Sequence, residues 1–184
     1  MLGMTGHRLT GFIFLMPFAY YRRLTKKQRQ IYDQSDRVQA LTLPAPEKLT
    51  PFVERLVSAL KSERRTTVEA ACRNLIDGVT DQLGVPAVRL RVMAVRPSDD
   101  SGELHGEYEL ALNRRRASIC VWMRTAKRRQ VVAFRSFLRT VLHELCHHLD
   151  YTLLNLDDSF HTEGFYKRES SLFNQLMAKP PQTP

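Results

Sequence analysis

Residues 130–154 read QVVAFRSFLRTVLHELCHHLDYTLL, and this stretch decides the fold. Phe134, Leu138, Val141, Leu142, Leu145, Leu149 and Leu153 recur at helical steps and predict one long amphipathic helix. Inside it stands His143-Glu144-Leu145-Cys146-His147. Positions i and i+4 of a helix lie on one face, so His143 and His147 can grip one metal ion together. Glu144 is one step around the helix, where its carboxylate can act on a water at that ion. A zinc centre that does chemistry takes three protein ligands and keeps a fourth position open. His161, fourteen positions beyond His147, is the leading third ligand. Four of the six histidines fall between 143 and 161, which argues against a chance match.

The neighbours sort by their place on the helix. His148 lies off the face shared by His143 and His147 and reads as a partly buried histidine with a local hydrogen bond. Asp150, three residues past His147, is near the ligand face and is the candidate to orient a ligand histidine from behind. Its plain alternative is a surface acid. Cys146 projects with Leu142 and Leu149 and reads as a small core residue. Tyr151 and Tyr166 are near enough in sequence to stabilise an oxyanion, although packing is the commoner use of tyrosine. Glu163 and Glu169, on the following helix, are the alternatives to His161 as third ligand.

Working outward, residues 155–160 form an acidic loop. A last helix runs from about Thr162 to Met177, with Phe165, Leu172, Phe173 and Leu176 inward. Upstream, Ala117–Arg124 and Leu104–Leu112 are short strand candidates, with Arg114-Arg115-Arg116 as a charged turn between them. Pro86 to Val95 alternates, with Val88, Leu90, Val92 and Ala94 on one face, and predicts a strand. A loop over 97–102 follows it. Three helices precede the strands. The first covers 24–40 with Thr25 as cap. The second opens at Thr50-Pro51. The third is capped by Thr66-Thr67 and ended by Leu83-Gly84. Helices, a small antiparallel or mixed sheet of about three strands, then two ligand-bearing helices make an α+β fold. Residues 1–23 read as an N-terminal extension, 24–178 as one domain, and 179–184 as a disordered tail.

The chain has 184 residues, enough for one domain with a real core. Its net charge of +9 favours a polyanionic partner. Between Leu110 and His143 stand nine Arg or Lys residues and no Asp or Glu, and this basic tract over 114–139 fits nucleic acid. The bland reading is a solvated surface, and no aromatic residues interleave as a single-strand platform needs. Cys72, Cys120 and Cys146 are scattered and odd in number, which points to a reducing compartment and a cytoplasmic protein. The apolar run Gly11–Tyr21 is too short to span a bilayer, and no cleavage site for a signal peptide follows it. Translation from Met16 instead of Met1 would remove much of that run.

The pattern HELCH, then His161, then Phe165 four residues on, resembles the SprT-like, or Spartan-type, zinc metallopeptidases. The resemblance covers roughly residues 117–178. It implies a small zincin-like metallopeptidase domain with zinc held by His143, His147 and His161 and with Glu144 as general base. Phe160 stands where that family often has glycine, and the helices over 24–83 have no counterpart in the pattern. The longer HExxHxxGxxH signature needs glycine and histidine where this chain has Asp150 and Leu153. The expected activity is hydrolysis of peptide bonds in a protein or peptide held along the sheet's edge. The alternatives are a basic nucleic-acid-binding protein with a structural or idle zinc site, and a zinc hydrolase of some non-peptide amide.

Overall fold

Thr25 opens the first helix, α1 (Lys26–Arg37), with a reciprocal cap. Its hydroxyl accepts the Gln28 backbone N–H, and the Gln28 side chain accepts the Thr25 N–H. The structure is a computed structural model that describes residues 18–100, 102–110 and 116–178. Residues 1–17, Arg114-Arg115 and the expected tail 179–184 lie outside the described residues. A 3₁₀ turn at Pro46–Leu49 leads directly into α2 (Thr50–Lys61). Thr50 is therefore the first helical residue and not its cap, because helical backbone already reaches Leu49. α3 (Arg65–Leu83) also starts ahead of the Thr66-Thr67 pair. Its first turn carries Arg65, whose guanidinium donates to Val92 O in the sheet. Gly84, at φ 65°, closes α3 in the left-handed conformation that glycine adopts without strain.

β1 (Arg89–Val95) follows α3, with Val88, Leu90 and Val92 buried and Ala94, at its end, exposed. The expected loop after it holds a small hairpin, β2 (Ser98–Asp99) with β3 (Gly102–Glu103). β4 covers Gly106–Glu109 of the strand expected over 104–112, whose residues 111–112 lie outside the described residues. β5 (Ser118–Arg124) is the central strand, parallel to β1 and antiparallel to β4, so the sheet is mixed. Leu90 pairs with Ile119 and Val92 with Val121, and on the other side Gly106 pairs with Val121 and Tyr108 with Ile119. One face of the sheet thus carries all six.

α4 (Phe134–Thr152) lies against that face and begins four residues later than expected. Val131 still bridges to Arg124, and Val132 N–H donates to Met123 O, so 130–132 is extended chain turning back on β5. α5 (Glu163–Met177) is capped by Thr162, whose hydroxyl accepts the Phe165 N–H. Leu138, Leu142, Leu145 and Leu149 of α4 are fully buried with Leu75 and Ile76 of α3, Ile119 and Val121 of β5, and Leu172 and Phe173 of α5. Each such side chain stabilises the fold by about 1.5–3 kcal/mol relative to exposure. Among the described residues the architecture is thus α+β, with five α-helices and a three-stranded sheet beside the small hairpin. No helix among them is long and apolar enough to cross a membrane.

Candidate metal centre

The i, i+4 spacing on α4 sets His143 and His147 side by side, and the loop into α5 brings His161 to them. Nε2 of His161 is 2.9 Å from Nε2 of His143 and 3.2 Å from Nε2 of His147. Tetrahedral ligands about 2.0–2.1 Å from zinc sit roughly 3.3 Å apart, so this spacing is close to what the ion needs. No other set of His, Cys, Asp or Glu among the described residues converges in this way. Phe165, fully buried, is the shared floor: its ring centroid lies 5.0, 4.8 and 5.1 Å from those of His143, His147 and His161. This is the phenylalanine four positions after His161.

Hydrogen bonds behind the rings set which nitrogens are bare. Nδ1 of His143 is 3.2 Å from Oε2 of Glu169, whose other oxygen accepts Arg139. A carboxylate only accepts, so His143 donates from Nδ1 and leaves Nε2 a lone pair. Nδ1 of His147 is 2.8 Å from Oγ of Ser159. The one Ser159 hydroxyl proton goes to Oδ2 of Asp150 at 2.7 Å, so Ser159 accepts from His147. His147 then also turns a bare Nε2 toward His161. Lone pairs meeting across such short distances repel unless a cation or proton lies among them. The donor set therefore fits a divalent metal of the zinc type, bound by neutral imidazoles. Burial, then the facing rings of His161 and His143, push His147 down to about 3, so its imidazole is neutral at physiological pH. Burial and His143 also lower His161.

Glu144 sits beside this cluster, 7% exposed, with no hydrogen-bond partner among the described residues. Burial pushes its carboxyl up to about 7. The opposite wall is Gly106 of β4. A Cβ on Gly106 would fall 2.8 Å from Cγ and 2.9 Å from Cδ of Glu144, so a larger residue here would make the Glu144 side chain or the strand give way. A cleft of about 400 Å³ opens on this side, lined by Glu103, His105, Gly106, Arg139, Thr140, His143, Glu144 and Glu169.

The structure sorts the other sequence candidates. His148 is turned away, its Nε2 on Pro86 O at 2.8 Å and its Nδ1 on the Tyr108 hydroxyl at 3.2 Å. Asp150 reaches His147 only through Ser159. Glu169 is on the far nitrogen of His143, and Glu163 pairs with Lys167, so neither carboxylate joins the three Nε2 atoms. Tyr151 stacks on Tyr108, while Tyr166 stacks on His161 with centroids 5.8 Å apart. Cys146 is fully buried, and burial raises its thiol. Residues 18–23, grouped above with the extension, pack on the site: the Tyr20 hydroxyl donates to His161 O, and Phe18 lies edge-on to Tyr166. The basic tract is divided. Arg124 pairs with Glu63, Arg135 and Arg139 lie over Phe173, and Lys127, Arg128 and Arg129 are in or beside a turn. Sequence reasoning missed Ser159, Gly106, Tyr108 and Arg168. Compared with known protein families, with curated proteins and with solved structures, the chain matches none.

Proposed function

We propose that this chain is a zinc-dependent metallopeptidase, a zincin of the SprT-like type. The observation that carries the reading is the convergence of three imidazole nitrogens beside an unpartnered, buried glutamate at the edge of a sheet. Zinc, when bound, supplies a Lewis acid that polarises a carbonyl and acidifies water. His143, His147 and His161 are the residues that hold it. Glu144 takes the proton of the attacking water and passes it to the leaving amine, and a carboxyl near 7 suits that exchange.

The substrate is a protein or peptide in extended form. β4 has β5 on one side only, and beyond its other edge no strand is paired among the described residues. A peptide added there would run beside Gly106 and past Glu144. The cysteines are all free, which suits a cytoplasmic enzyme. Nucleic acid as a further partner would meet Lys127, Arg128 and Arg129, since Arg124, Arg135 and Arg139 are engaged within the protein.

Glu144→Gln tests the mechanism. It keeps the shape of the side chain and removes the proton acceptor. Hydrolysis of an unfolded protein such as casein should fall about 10²–10⁴-fold, with zinc retained and the melting temperature unchanged. Equal activity in the two proteins would sink the peptidase mechanism.

A further inference from the structure

Behind His147 runs a chain of buried polar groups that ends on the first helix. Arg168 of α5 is fully buried, as is Asp150 of α4, and the two meet at 2.7 Å. The terminal nitrogens of the Arg168 guanidinium also donate to α1, while its Nε is buried without a partner. Nη1 donates to Ser35 O at 2.6 Å and Val38 O at 2.7 Å, and Nη2 donates to Ser35 Oγ at 2.9 Å. Ser35 O already accepts the Val38 N–H, whereas Val38 O lies at the very end of α1, where carbonyls have no partner within the helix. Arg168 fills that need and turns what remains of its charge on Asp150. A second tie holds α1 to α5: Asp36 Oδ1 accepts the Gly164 N–H at 2.7 Å.

Asp150 in turn offers Oδ2 to the Ser159 hydroxyl. A serine hydroxyl has one proton, and here the carboxylate takes it. Ser159 can then only accept from His147. The order differs from that of a serine nucleophile, where the carboxylate bonds the imidazole and the imidazole takes the hydroxyl proton. Here the carboxylate bonds the hydroxyl, so Ser159 is turned away from nucleophilic chemistry. What the chain does control is which nitrogen of His147 carries hydrogen, and where the ring points.

We propose that Ser159 and Asp150 are positioning residues for the metal: Arg168, anchored on the end of α1, holds Asp150, which orients Ser159 to fix His147 with its bare Nε2 in the centre. This inference rests on the metal-centre reading above. It makes α1 part of the site. The two helical ligands are then held by different means, His143 by a carboxylate directly and His147 by a carboxylate acting through a hydroxyl.

The test uses the full chain, as wild type, Ser159→Ala and Ser159→Thr. Two-bond proton–nitrogen NMR spectra of the histidine rings, taken on metal-free protein, report each tautomer. Wild type should show His147 with hydrogen on Nδ1. Ser159→Ala should lose that preference, while His143, held by Glu169, should keep its own. Zinc affinity, measured in competition with a coloured chelator, should fall about 10–100-fold in Ser159→Ala and recover in Ser159→Thr, at an unchanged melting temperature. An unchanged His147 tautomer together with unchanged zinc affinity in Ser159→Ala would overturn the proposal. Wild type that binds no zinc would overturn the metal reading instead, and the tautomer spectra would still judge the chain of positioning residues.

Discussion

The two edges of the sheet are built for different work. Along β1 the edge is closed by side chains of α3. Val92 N–H donates to Glu69, Val92 O accepts Arg65, and Leu90 O accepts Arg73. Glu69 also binds both arginines, so the edge is a small network of charges that stands in for a neighbouring strand. Along β4 nothing similar occurs among the described residues. The edge is short, begins at a glycine, and lies against a buried carboxylate and three convergent histidines. An unpaired strand edge is a liability for a protein, and closing only one of two says which edge has a use. The closed edge stabilises. On the proposed function, the open edge is the one that receives the substrate.

If that contrast is right, changes at β4 should affect catalysis and spare stability, and changes at β1 should do the reverse. Glu144→Gln, with its loss of about 10²–10⁴ in rate, is the largest effect expected on the β4 side. Gly106→Ala comes next. The added methyl must push Glu144 or the strand aside, and a displacement of about 1 Å at a reacting group costs on the order of 10²-fold in rate. Casein hydrolysis should fall accordingly, with zinc content unchanged. Normal turnover by Gly106→Ala would mean that the strand's approach to Glu144 has no catalytic purpose. Glu69→Ala is the matching change on β1 and should have the smallest effect on rate. It leaves the buried Val92 N–H without its acceptor and should cost about 1–3 kcal/mol in a denaturant melt. A large loss of activity in folded Glu69→Ala would erase the distinction between the edges.

The sequence made one half of this site legible and concealed the other. His143 and His147 could be paired because helix geometry is local, and the α4 stripe around them is strong. His161 stood out through its spacing and through Phe165, which the structure makes the floor of all three rings. Ser159 carried no such signal. Its role depends on the direction of a hydroxyl proton, which Asp150 sets, and Asp150 depends on Arg168 and the end of α1. Those are contacts between elements far apart in the chain. Glu169 was legible as an acid near the site. Whether it would meet the metal or the far nitrogen of His143 is decided by how α5 crosses α4. Gly106 fell inside the strand expected over 104–112 with nothing to single it out, since only the tertiary approach of β4 to Glu144 gives it a purpose.

The fold shows the same division. α1 and its Thr25 cap follow from a local pattern, and so does the Gly84 stop. The start of α4 does not, because the backbone of 131–132 bonds to β5 and overrides a periodicity that continues through it. Thr66-Thr67 looked like a cap, yet Arg65 is drawn into the first turn of α3 by its bond to Val92 O. In both places a contact with the sheet moved a helix boundary that local preference had set elsewhere.

The central claim is that His143, His147 and His161 together hold one zinc ion. Metal analysis of the purified protein tests it most directly, with His161→Ala as the probe and His148→Ala as the control, since His148 bonds Pro86 O and faces away. Wild type and His148→Ala should each hold about one zinc per chain, and His161→Ala should lose most of it. Full zinc occupancy in His161→Ala, or none in wild type grown with zinc, would contradict the account.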